Sequence, residues 1–206
     1  MYRSKLTLDL LNPSVQQALR NVNDMHRNIM KAFDDLPSDS PRANNSVLYS
    51  VLNYMGKPAV YVISRTKPDW SRVRGFTPVD EPMDISGIRD KFCKDGVFGF
   101  RLLASPTKKV SREGKLSSRV YLRTAEERGQ WLRRQAQKSG FELVSFSENS
   151  EERVIGRKKD MQINYTGVHF SGVLKITDPD LFWKAYCEGI GPGKAYGLGM
   201  LMIRRL

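Results

Sequence analysis

VHFSGVLKITDPDLFWKAYCEGIGPGKAYGLGMLMIRR, residues 168 to 205, reads as a strand (168–176), a helix (179–187), a glycine-rich turn and a closing apolar strand (198–204). Moving toward the N-terminus, FELVSF (141–146) reads as a strand, residues 125–138 as a helix and VFGFRLLA (97–104) as a further strand. The order β-α-β-β-α-β is the split βαβ, ferredoxin-like pattern. The first half begins the same way. KLTLDL (5–10) alternates Leu6, Leu8 and Leu10, and Asn12-Pro13-Ser14 then supplies helix-start chemistry, with Ser14 and Gln17 spaced as a capping box. Val15, Leu19, Val22, Ile29 and Phe33 carry a helix to Phe33 unless it breaks near residues 21–24. VLYSVLN (47–53) and AVYVISR (59–65) form a hairpin about a turn containing Gly56 and Pro58. Residues 67–95 hold several prolines and glycines and are expected to supply a degraded fourth strand and a connection. The fold class is therefore α+β, two tandem ferredoxin-like domains spanning 1–90 and 91–206 with a groove between them.

The turn in the opening stretch places glycines at 189, 191, 193, 197 and 199 around Lys194. Such a segment either brings the main chain close to an anion or lets the last strand enter its sheet, and both readings stand. It is not a Walker loop, because Glu188 occupies the first glycine position and Ala195 the hydroxyl position. Nor is it a dinucleotide fingerprint, because no βαβ unit follows it.

Charge narrows the partners. The chain carries 34 Lys+Arg against 22 Asp+Glu, a formal charge of +12, which favours polyanions. No apolar run of about 18 residues and no signal-peptide pattern is present, so a soluble cytoplasmic protein with no membrane partner is expected. Cys93 and Cys187 lack CxxC spacing, which argues against a disulfide framework or a zinc site. Between Lys108 and Lys138 ten basic residues face three acidic ones. PTKKVSREGKLSSR, with Gly114 at its expected tip, would project Lys108, Lys109, Arg112, Lys115 and Arg119 on a loop. Arg157, Lys158 and Lys159 form a second cluster before an insertion that precedes strand 168–176. Each cluster is either a solvated face or a set of phosphate contacts. Phe98-Gly99-Phe100 lacks the opening of an RNA-recognition RNP1 strand and reads as core.

The chain has two histidines. His169 lies in an apolar strand and reads as a hydrogen-bonded structural residue. His26 falls in the middle of the Leu19, Val22, Ile29, Phe33 stripe if the helix is unbroken, which makes it a core residue. A break at 21–24 would release it for proton transfer.

The opening MYRSKL, Met25-His26-Arg27 with Lys31-Ala32, KPDWS (67–71), FRLLASPTKK (100–109), RKKD (157–160) and the terminal GIGPGKAYGLGML together resemble one family over essentially the whole chain. It is the CasE (Cse-type) CRISPR repeat-processing endoribonuclease family of type I-E Cascade. The resemblance implies two ferredoxin-like domains and cleavage of precursor CRISPR RNA at the 3′ base of the repeat stem-loop. The hairpin then stays bound as the enzyme, a monomer when free, joins the other Cascade subunits. It also implies no cofactor and no metal. By the same resemblance His26 is catalytic; a nearby cation would stabilise phosphorane charge, and Lys31 is the candidate for it. Arg27, the basic residues named above, Gly191, Gly193 and Lys194 are the candidate RNA contacts. Members of that family often carry tyrosine three residues before the histidine, where this chain has Asn23. The alternative is a non-catalytic RNA-hairpin-binding subunit of a ribonucleoprotein; a DNA-binding architectural role has only charge in its favour.

Overall fold

The computed structural model describes residues 1–33, 46–112 and 115–206, apart from the side chains of 111–117. The chain runs β1 (Tyr2–Leu8), α1 (Pro13–Arg20), α2 (Val22–Met30), β2 (Leu48–Tyr54), β3 (Lys57–Ser64), β4 (Phe76–Pro78), β5 (Met83–Asp84), β6 (Val97–Ala104), β7 (Thr107–Arg112) and β8 (Lys115–Tyr121). It continues through α3 (Ala125–Lys138), β9 (Phe141–Lys158), β10 (Met161–Ile176), α4 (Pro179–Glu188) and β11 (Leu201–Arg204). The first sheet has the order β2-β3-β1-β4, with β5 also on β1, and the second has β11-β6-β10-β9. Each is the antiparallel ferredoxin-like order, with the strand that follows the hairpin turn lying beside the first strand.

The halves differ in their helices. The second half is complete, with α3 opened by a capping box between Thr124 and Glu127. In the first half a single 3-10 turn, Trp70–Arg72, stands where the second helix would be, and β4, the expected degraded fourth strand, is only three residues long. One apolar cluster lies between the first sheet and α1/α2 and includes Leu6, Val15, Ile29, Val60, Trp70 and Phe76. Fully burying an aliphatic side chain of this kind contributes about 1.5–3 kcal/mol. The other cluster combines Phe100, Leu102, Trp131, Phe170 and Phe182 with Leu48, Ile63 and Ile85 of the first half. Neighbours along β2 and β3 thus point into different cores, Leu48 and Ile63 into one and Tyr49 and Val62 into the other. The first sheet is covered on both faces, which explains why β2 and β3 read as nearly continuous apolar runs.

Several boundaries depart from the sequence reading. β1 begins at Tyr2 and ends at Leu8, because its register pairs Tyr2–Thr7 with β3, and Leu10 is left exposed in the turn that follows. The cap of α1 is Asn12, whose Oδ1 accepts from the Ser14 N–H at 3.0 Å, and not Ser14. The expected long helix breaks at Asn21 (φ −137°, ψ 107°), and Leu19 is consequently exposed rather than in the core. Met55 and Gly56, both at positive φ, make the hairpin turn, while Pro58 already pairs within β3.

The two largest corrections concern the basic stretches. Residues 107–121 form the β7/β8 hairpin and not a loop, with Lys109 opposite Arg119. The tip expected at Gly114 lies outside the described residues, as do the side chains of Arg112 and Lys115. The expected insertion between 146 and 168 is continuous strand: β9 and β10 stay paired from Phe141–Ile176 out to Lys158–Met161, forming a long arm closed by Lys159-Asp160. The sheet continues because backbone pairing does not require apolar side chains.

Candidate active site

α2 is only nine residues long, so packing and its caps must hold it. Asn21 caps it, its Oδ1 accepting from the Asn23 N–H at 3.1 Å. Asn21 and Gln17 both donate to Asp24 Oδ2 at 2.9 Å, which fixes the elbow between α1 and α2. Met25 and Ile29 anchor the inner side of the helix in the first core. His26, between them in sequence, belongs to neither core and is half-buried. The break that the sequence allowed is therefore present, and it turns His26 out of the apolar stripe.

Two distant segments converge on α2. The first is the glycine-rich turn. Its 3-10 segment Lys194–Tyr196 packs on the helix and sets the Tyr196 ring edge-on to His26, with centroids 6.5 Å apart. Tyr165 of β10 lies 6.0 Å from Tyr196 on its other side. The buried Tyr49 donates to the Val22 carbonyl at 3.4 Å. Burial, and secondarily the nearby Tyr196 phenol, raises the Tyr49 pKa well above the usual phenol range, so its hydroxyl remains a donor. The second segment is the tip of the β9/β10 arm, where the Arg157 N–H donates to the same Asn21 Oδ1 at 3.1 Å. Gly156 makes this approach possible, since a Cβ there would lie 2.5 Å from Asn21 Oδ1 and 3.0 Å from Val22 Cγ2. A cleft of about 250 Å³ lies beside this junction, among Leu19, Val22, Tyr49, Val154 and Tyr196.

The sequence-read residues fall into three places. His26, Arg27 and Lys31 are on or at the end of α2. Arg27 is exposed and 3.6 Å from Asp24, and Lys31 Nζ donates to Asn28 Oδ1 at 2.7 Å. Arg157, Lys158 and Lys159 are exposed at the arm tip, and among the described residues none pairs with a carboxylate. Lys108, Lys109 and Arg119 are exposed on the β7/β8 hairpin, with Lys108 3.6 Å from Glu127. Arg128, counted among the basic run, is not a surface charge. It is buried, donates to both Glu148 oxygens at 2.9 and 2.5 Å, and its pKa is raised chiefly by that pairing.

Gly191 and Gly193 are both at positive φ, and the nearest atoms to an added Cβ belong to Trp131 and Leu198. Lys194 is half-buried in the 3-10 turn. His169 is bonded to Glu152 at 2.9 Å, in keeping with the structural reading. Sequence reasoning missed Asn21, Gly156 and Tyr196. The first two act through contacts more than 130 positions apart, and the third was hidden among the glycines around it. Asn23 is buried, and the aromatic ring packed edge-on against His26 is that of Tyr196.

A family profile described as "CRISPR associated protein" matches residues 1–205. The chain is 30% identical to the CRISPR-associated endoribonuclease Cse3 of Thermus thermophilus, covering 98% of this chain and 99% of that protein. Among solved structures it resembles a CRISPR endoribonuclease Cse3 bound to a 19-nucleotide RNA, with a TM-score of 0.84, 29% identity and coverage of 99% of this chain and 100% of that one. It also resembles Thermus thermophilus Cse3 bound to an RNA representing a pre-cleavage complex, with a TM-score of 0.82, 27% identity and 98% of both chains covered. Among the described residues no helix is long and apolar enough to cross a membrane.

Proposed function

This chain belongs to the CRISPR-associated protein family and is an endoribonuclease of it, and from that premise we propose that it cuts precursor CRISPR RNA at the 3′ base of the repeat stem-loop without a metal ion. Residues 1–90 carry the chemistry and 91–206 most of the grip. The enzyme works in the cytoplasm as a monomer and keeps the hairpin when it joins the other Cascade subunits. The observation that carries this reading is the shared Asn21 Oδ1, which joins the start of the His26 helix to the base of a tip bearing three exposed cations. A stem gripped by the tip is thereby presented to α2.

In the reaction the ribose 2′-oxygen attacks the adjacent phosphorus and the P–O5′ bond breaks. The products are a 2′,3′-cyclic phosphate and a 5′-hydroxyl. His26 either accepts the 2′-OH proton or donates one to the departing 5′-oxygen, a role suited to imidazole near neutral pH. Lys31, at the C-terminal end of the same helix, offsets charge on the phosphorane. Arg27, Lys108, Lys109, Arg112, Lys115, Arg119, Arg157, Lys158 and Lys159 hold RNA phosphates. Lys194, Gly191 and Gly193 shape the approach beside Tyr196.

The test is cleavage of the repeat RNA with and without EDTA, and with a single 2′-deoxy nucleotide at the cut site. Full activity in EDTA and none on the deoxy substrate is expected. Loss in EDTA restored by magnesium would overturn the metal-free mechanism. Binding without any cleavage would favour a purely hairpin-holding subunit.

A further inference from the structure

α3 and α4 cover one face of the second sheet, and the opposite face carries a polar patch that the cleavage reaction does not use. On that face the register sets Arg101 of β6 opposite Ser171 of β10, with Ser147 of β9 opposite Ser171 in turn. Arg204 of β11 lies flat over Gly99, where a Cβ would meet its Nε at 2.7 Å and its Cγ at 2.9 Å. Both arginines are exposed, and among the described residues neither is paired with a carboxylate. Together with Ser145, Ser147 and Ser171 they line an open cleft of about 450 Å³. Asn149 Nδ2 donates to Ser171 Oγ at 2.9 Å, and the Ser147 and Ser171 hydroxyls lie 3.3 Å apart, so the hydroxyls are held in place on the strands beyond Arg101.

The patch has defined ends. Away from the active site, Lys175 is neutralised by Asp95 at 3.0 Å and Glu142 at 3.5 Å. Toward the active site, the neighbour of Arg101 on the same face of β6 is Leu103, which clusters with Val22, Leu198 and Tyr196. Tyr196 is the residue set against His26. Leu103 is buried, and beside it on β10 His169 is paired with Glu152, so the row of this face between Tyr196 and the two arginines holds a buried leucine and a neutralised ion pair.

Building on the proposed function, we propose that this face binds the single-stranded RNA immediately 3′ of the cut, with Arg101 and Arg204 contacting its phosphates. The stem side of the scissile phosphate faces the β9/β10 arm, so the 3′ flank must leave by another route. Guanidinium groups suit phosphate oxygens, and the ordered serines offer further hydrogen bonds. The flank leaves as product after cleavage, so this contact distinguishes precursor from product. It favours uncut RNA and is given up when the reaction is complete.

The test compares three RNAs: the stem ending at the cut site, the stem with a 3′ flank, and the stem with a 5′ flank. All carry a 2′-deoxy nucleotide at the cut position so that binding alone is read. Arg101→Gln with Arg204→Gln should weaken the 3′-flanked RNA about tenfold and make its salt dependence shallower by about 1.4, about 0.7 for each phosphate no longer neutralised. Affinity for the other two RNAs and the melting temperature should be unchanged. Gly99→Ala, which displaces Arg204 without removing charge, should reproduce part of the loss. Equal weakening of all three RNAs, weakening confined to the 5′-flanked RNA, or no effect would each overturn the proposal. If wild-type protein bound none of the three, the proposed function itself would fail first.

Discussion

α2 and the tip of the β9/β10 arm touch at one amide side chain, yet they are built in opposite ways. α2 is short, capped at its N-terminus and anchored by the fully buried Ile29 and by Met25, with the half-buried His26 between them in sequence. At the tip, Arg157, Lys158 and Lys159 belong to none of the apolar clusters among the described residues. All three are exposed, and Lys159 is held at φ 51° in the turn. Under the proposed function the difference follows from what each would do. A proton-transfer group has to be aligned to within fractions of an ångström, whereas phosphate attraction falls off slowly and tolerates side-chain freedom. Rate should therefore reside in α2 and affinity in the arm.

Replacing His26, the proposed proton-transfer group, tests that division with the largest effect. His26→Ala should lower the single-turnover rate by about 10²- to 10⁴-fold and leave the dissociation constant for the repeat hairpin nearly unchanged. Near-normal cleavage by this variant would move the chemistry elsewhere.

Neutralising the arm comes next in size. Alanine at Arg157, Lys158 and Lys159 together should weaken hairpin binding by on the order of tenfold or more and flatten the salt dependence by about 0.7 to 0.9 for each phosphate left without its cation. An unchanged salt slope would make the three side chains a solvated face.

Gly156→Ala probes the point where the two regions meet. The added methyl would sit against Asn21 Oδ1, so either the arm or the cap of α2 must shift. A cost of about 1–3 kcal/mol in stability is expected from the crowding, with a fall in cleavage rate at saturating RNA that Asn21→Ala partly relieves. If rate and stability both stayed at the wild-type level, the arm and the helix would be independent.

The smallest expected effect belongs to Tyr196→Phe. Removing the hydroxyl from the ring set edge-on to His26 should slow the chemical step by up to about tenfold, as the loss of a single hydrogen bond to the reacting groups would, without altering affinity. A change in affinity alone would place Tyr196 with the binding surfaces.

The second half was legible because most of its elements carry their own period and send one face into a common apolar layer. VFGFRLLA and VHFSGVLKI send alternate residues into the α3/α4 layer, and β6 occupies the residues expected for it. The arm was not legible. From Ser147 to Gly167 its sequence is mostly polar, and only pairing with a partner strand makes it regular. The break of the long helix was visible as an option at residues 21–24, but the apolar spacing continued across it. What decides the break is the Asn21 side chain, which serves Asn23 on one side and Arg157 on the other. Contacts of that kind, between residues 136 positions apart, leave no local pattern. The same holds for Tyr196, whose nearness to His26 depends on how the two halves pack.

The most direct measurement is the single-turnover cleavage rate of the triply neutralised arm variant at protein concentrations that saturate its weakened binding. A rate within about twofold of wild type is expected, because a phosphate contact made equally in the ground and transition states alters affinity and not the chemical step. A rate that stays depressed at saturation would show that the arm aligns the scissile phosphate as well as holding the stem, and the separation of grip from chemistry would be wrong.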